Sequence, residues 1–152
     1  MSTGTRWLDE GEQQAWRATL EATIRLLDRL NDDLKSQSGL TLDDYEVLVF
    51  LSEQPERRLR MSDLAESIIS SRSRLTYRVD RLEARGLVCR QACPEDGRVV
   101  YAALTDAGLA ALSAAAPGHV GSVRANLLDH FDRDEFVRLG EWMERLAAHL
   151  RE

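Results

Sequence analysis

A chain of 152 residues with 30% charged residues and a formal net charge of −6 has the usual size of one domain and can bury a core without a disulfide or cofactor. Two cysteines, three scattered histidines and no apolar run near ~20 residues argue against a disulfide framework, a zinc site and a membrane span. The opening Met1-Ser2-Thr3-Gly4-Thr5-Arg6 lacks the apolar core of a secretory signal, so a cytoplasmic chain is expected.

Trp7 to Lys35 is mostly one helical pattern. Leu20, Ile24, Leu27, Leu30 and Leu34 fall along one side, and Glu10, Glu12, Glu21, Asp28 and Asp32 supply much of the polar remainder. A terminal amphipathic helix this long has little to pack on within so small a lobe. A partner subunit is its natural cover, and packing within the chain is the alternative. Trp7 and Trp16 read as core or dimer anchors. Gly39 ends the pattern, and Thr41 with Asp44 signals the next helix start. From Leu42 to Glu53, Tyr45, Leu48, Val49 and Leu51, broadened by Val47 and Phe50, make a helix that is close to apolar all round at its C-terminal end and therefore central. Gln54-Pro55-Glu56 breaks it. Arg57 and Arg58 then read as a phosphate clamp or a solvated loop, and Arg60 as part of a short strand.

A short helical pattern from Ser62 to Ile68 precedes a longer one from Ser71 to Arg85. In the longer one Leu75, Val79 and Leu82 point one way, while Arg72, Ser73, Thr76 and Tyr77 project elsewhere from the first turns. Such a helix docks inward and presents donors outward. The planar fork of arginine matches guanine or phosphate, serine and threonine bond either, and helix N-terminal amides attract phosphate. An ordinary surface helix with a solvated arginine face stays open as the alternative. Leu87 to Gln91 and Val99 to Leu104 read as strands bracketing the turn Cys93-Pro94-Glu95-Asp96-Gly97-Arg98. There Arg98 stands where a wing dips toward a minor groove; Asp96 either holds its guanidinium or ties down the turn. Cys89 and Cys93 would be ~13 Å apart along a strand, too far for a disulfide, with Cys93 expected near an exposed tip. Two helices followed by this hairpin spell a winged helix-turn-helix.

After the hairpin, Thr105 caps a helix through Ala107, Leu109, Ala110, Leu112 and Ala115. Pro117-Gly118 is expected to kink or break it before His119 to His130. Asp132 to Glu135 forms a capping box for the last helix, whose apolar positions include Phe136, Leu139, Met143, Leu146 and Leu150. Charge is segregated along the chain: residues 57–98 hold ten arginines against six carboxylates, a net +4, leaving −10 elsewhere. That split turns a basic lobe toward phosphate and keeps the acidic helices off it. Phosphate loops, nucleophile elbows and carboxylate pairs backed by histidine are not found, so nothing supports an enzyme.

Ser62-Asp63-Leu64-Ala65, the run Val79-Asp80-Arg81-Leu82-Glu83-Ala84-Arg85-Gly86-Leu87-Val88, the wing Asp96-Gly97-Arg98 and the exit Leu104-Thr105-Asp106-Ala107-Gly108 are together highly specific. They resemble the MarR-type transcriptional regulators. One departure is Ile68-Ile69-Ser70, where the family often has a glycine-containing turn. The resemblance implies a mainly α fold with a small β-wing, a single domain over 1–152. Within it, helices at 7–35 and 106–152 dimerise and 41–104 forms the winged helix-turn-helix lobe. It further implies a homodimeric, sequence-specific repressor of a palindromic double-stranded DNA operator, with no cofactor. On this reading Ser71, Arg72, Ser73, Thr76 and Tyr77 contact base edges or nearby phosphates. Arg74 and Arg78 contact phosphates, and Arg98 enters the minor groove with Asp96 as its holder. Many relatives place a small aromatic or phenolic effector between helices and lobe; Trp16, Tyr45, Leu48 and His119 are the candidate lining residues. A winged-helix module that recruits an acidic protein, and a DNA-binding protein blind to effectors, remain alternatives.

Overall fold

A computed structural model describes residues 4–68 and 72–151 and, for residues 72 and 73, the backbone alone. The elements run α1 (Glu10–Ser38), α2 (Leu42–Ser52), β1 (Arg58–Arg60), α3 (Met61–Ser67), α4 (Arg72–Ala84), β2 (Val88–Ala92), β3 (Val100–Leu104), α5 (Asp106–Asn126) and α6 (Arg133–Leu150). This is mainly α with a three-stranded antiparallel sheet in the order β1-β3-β2. No described helix is long and apolar enough to cross a membrane.

The chain divides into two compact units, residues 31–122 and a terminal unit of residues 1–30 with 123–152. The first has a core closed to solvent. Leu34 and Leu40 meet Val47, Leu48 and Leu51 of α2, Leu64 of α3, and Leu75, Val79 and Leu82 of α4, all essentially inaccessible. Helical spacing on α4 put these three on one side, and burying each contributes about 1.5–3 kcal/mol. The hairpin closes this core through Val88, Ala102 and Leu104, with Val88 opposite Leu104 and Ala92 opposite Val100. Arg60 does lie on a strand that joins the sheet, opposite Tyr101.

Capping sets the helix starts. Thr41 and Asp44 make the reciprocal box at α2, as Asp132 and Glu135 do at α6. At α1 the same pairing is made by Asp9 and Glu12, so the helix begins at Glu10 and Trp7 precedes it. Gly86, at φ 72°, ends α4, and the Leu87 N–H reaches back to the Leu82 carbonyl. Thr105 bonds both the Gly86 carbonyl and the Gly108 N–H. A Cβ on Gly108 would sit 2.0 Å from the Leu87 carbonyl oxygen, so only glycine lets α5 start against the base of the wing.

The break expected at Pro117 does not occur, because α5 continues through it to Asn126. Leu112 and Ala115 before it and Ser122 after it are buried, and Ser122 hydrogen-bonds Asp33 of α1. Packing on both sides outweighs the one lost N–H. The end of the Gln37 side chain lies over Gly118, where a Cβ would require it to move aside.

Candidate nucleic-acid interface

Helix α4 has three working sides. Its inward stripe fixes it to the core, as above. A second side faces α2, where Arg78 pairs with Asp43 at 2.6 Å and Arg81 with the buried Asp44 at 3.5 Å. Arg85 adds a bond to the Gly39 carbonyl at 3.1 Å. The third side carries Thr76 and Asp80 outward, with Tyr77 between it and the second, exposed and lying under the Arg81 guanidinium.

The two larger clefts beside this helix, among the described residues, are lined by charged side chains. One, of about 570 Å³, is lined by Lys35, Arg74, Tyr77, Arg78 and Arg81 with the acidic α2 cap. The other, of about 430 Å³, brings Thr76 of α4 together with Arg98 of the wing, Arg60 of β1 and Arg90 of β2. Arg98 is 96% exposed; Asp96 accepts its backbone N–H at 3.0 Å, while the guanidinium stands 4.0 Å off. Asp96 thus shapes the turn more firmly than it holds the side chain. Arg60 is exposed and donates to the Tyr101 hydroxyl at 3.4 Å.

The electrostatics favour fixed positions. The Arg90 backbone N–H, and then its guanidinium, hold the Glu83 carboxyl below its ordinary range. Burial raises Glu46 on α2, with Asp43 adding to the rise and Arg78 opposing it.

The MarR family model matches residues 38–99. The MarR-family regulator AbsC of Streptomyces coelicolor is 43% identical, with a TM-score of 0.91, over 97% of this chain and 99% of that one. Sco3205 from the same organism, a MarR-family regulator solved in complex with DNA, is 42% identical, with a TM-score of 0.93, over 96% and 92%. The transcriptional repressor YetL of Bacillus subtilis is 31% identical over 113 residues, 72% of this chain and 68% of that protein. The chain belongs to the MarR family.

Among the MarR-type residues expected to touch DNA, Arg74, Thr76, Tyr77 and Arg98 are exposed. Ser71 and the side chains of Arg72 and Ser73 lie outside the described residues. Arg78 differs from expectation: only 15% of its side chain is exposed, and it is turned onto Asp43, because i, i+3 spacing from Leu75 leaves it at the edge of the packed face. The residues expected to line an effector site have different surroundings. Leu48 is fully buried in the core beside Val47 and Leu51, and Trp16 belongs to the terminal unit. Tyr45 and His119 do meet, ring centroids 4.5 Å apart, and the His119 Nδ1 is buried without a hydrogen-bond partner. Cys93, expected at an exposed tip, is half-buried, its N–H bonded to the Val99 carbonyl at the base of the turn.

Sequence reasoning missed Arg60 and Arg90 as neighbours of Thr76 and Arg98. A signal existed for Arg90: Asp80 and Glu83, three apart on one stripe of α4, call for a cation on whatever packs beside them.

Proposed function

We propose that this MarR-family chain is a homodimeric transcriptional regulator that binds a palindromic double-stranded DNA operator and represses from it, working in the cytoplasm without catalysis of its own. The observation that carries the reading is the cleft shared by Thr76 and Arg98, which offers helix and wing donors to one duplex. Arg74 and Tyr77 serve nearby phosphates or base edges, and Ser71, Arg72 and Ser73 belong to the same reading head. Residues 41–104 act as the reading lobe, and residues 7–35 with 106–152 as the dimerising part. Support for the dimer is the apolar surface of the terminal unit, where Trp16, Leu20, Ile24, Trp142, Met143 and Leu146 are all exposed in the single chain. A two-fold dimer presents two reading heads, which meet successive major grooves when about 34 Å apart.

Release by a small aromatic or phenolic effector is part of the proposal. The buried and unpartnered Nδ1 of His119 beside Tyr45 supports it, since a phenol offers both a ring and a hydroxyl.

Selection of bound sequences from random DNA tests the main claim, with enrichment of an inverted repeat expected. Recovery of no preferred sequence overturns it. On that operator, Arg98→Ala should weaken binding by ~1–3 kcal/mol with the fold intact and lower the salt slope by about one. Unchanged affinity and slope would remove the wing from the mechanism.

A further inference from the structure

One side chain joins the first wing strand to the recognition helix. The Arg90 backbone N–H donates to Glu83 Oε1 at 2.9 Å, and its Nη1 donates to Glu83 Oε2 at 2.6 Å. Its Nη2 pairs with Asp80 Oδ1 at 2.7 Å and lies 3.5 Å from the Thr76 carbonyl oxygen. Thr76, Asp80 and Glu83 follow one another along a single stripe of α4, so the guanidinium spans two turns of that helix from the middle of β2. The guanidinium grips two carboxylates at once, one with each terminal nitrogen, and a point charge cannot reproduce that planar fork.

The charge count separates this arginine from the others around the cleft. Two carboxylates against one cation leave the cluster at −1, and both terminal nitrogens of the guanidinium are already engaged. Among the described residues, the Arg98 guanidinium has just the loose contact with Asp96. The tip of the wing lies about four residues beyond Arg90, ~13 Å at the strand rise, so a tilt of ~10° at Arg90 displaces the tip by ~2 Å. Binding groups need to be held within about 0.5 Å to keep their contacts.

We propose that Arg90 is a positioning residue for DNA recognition: braced on Asp80 and Glu83, it locks the wing to α4 so that Thr76 and Arg98 meet the duplex as one rigid surface. It neutralises no phosphate itself. This rests on the DNA-binding reading above and adds to it how the two contact elements are kept in register.

The test uses the full-length protein and its selected operator, with titrations across salt and hydroxyl-radical footprints. Arg90→Gln removes the guanidinium and leaves the backbone bond to Glu83, whereas Asp80→Asn combined with Glu83→Gln removes the anchoring charges and leaves the cation. Both should lose about tenfold in affinity, the size of one lost groove contact, with an unchanged salt slope. The footprint under the wing should fade while that under α4 persists. The anchor-free protein gives the sharpest contrast: an Arg90 that contacted DNA would be freed there, and binding would tighten. Tighter or equal binding by that protein overturns the proposal, as does a salt slope lowered by about one in Arg90→Gln. So does loss of both footprints in step with a falling melting temperature, which marks a purely structural brace. If Arg90→Gln does not fold, the anchor-free protein decides alone. Failure of the parent to bind any DNA sinks the underlying reading, whereas a parent that binds beside variants that bind equally well sinks only the role of Arg90.

Discussion

Two parts of one chain treat their apolar residues in opposite ways. In residues 31–122, leucines and valines from five helices and the sheet are removed from water, and what remains outside is largely arginine, carboxylate and small polar side chains. In the terminal unit the large apolar residues stay outside: of the fourteen large apolar or aromatic side chains exposed among the described residues, twelve belong there, including Trp7 at 84% and Trp142 at 53%. Leu30 is its one buried apolar side chain among the described residues. The lesson is thermodynamic. The lobe solves its burial problem alone, whereas the terminal helices have a face that is stable only when another surface covers it.

Breaking the lobe is expected to have the largest effect. Leu82→Ala removes a fully buried side chain and should cost 2–5 kcal/mol in urea unfolding. Trp142→Ala, measured at concentrations where the chain is monomeric, should move the same midpoint by less than about 0.5 kcal/mol. Equal costs would erase the contrast between the two parts.

Next in size is the association itself. Leu146→Glu puts a charge on the uncovered face, so sedimentation should shift from dimer to monomer, melting should cease to depend on protein concentration, and operator binding should weaken. A dimer that survives this change is built on some other surface.

The smallest effect lies inside residues 31–122 and tests how far burial there reaches a titratable group. Burial lowers the His119 pKa from its ordinary 6.5, so the unfolded chain takes up a proton before the folded one does. Stability from this residue is therefore full above about pH 6.5 and is lost as pH falls through the folded value. Glu46, raised from 4.5 by burial and Asp43 against Arg78, has the opposite sign: its contribution is present at low pH and lost as pH rises through its folded value. Melting curves from pH 7.5 to 5.5 should show a smaller loss in His119→Phe than in the parent, and parallel curves would mean the imidazole is hydrated.

Helices, turns and the inward stripe of α4 were legible in the sequence because each depends on neighbours within about one turn. Thr41 with Asp44, Asp132 with Glu135, and Leu75 with Val79 and Leu82 all announce themselves at fixed spacings. Pro117 misled for the same reason: its local preference is real, but α5 answers to side chains buried on both sides of it. Leu48 is a similar case, since the type of a residue does not say whether the space beside it is filled.

The arginines mark the boundary between the two kinds of knowledge. Sequence alone determined that ten of them cluster between residues 57 and 98, on a winged helix-turn-helix pattern, apart from an acidic remainder. Only the tertiary structure decided which are committed: Arg78 to Asp43, Arg90 to Asp80 and Glu83, with Arg98 left outward. Periodicity reports which side of its own element a residue occupies. Whether that side meets a carboxylate 2.6 Å away depends on the packing of another element, and no spacing along the chain encodes that distance directly.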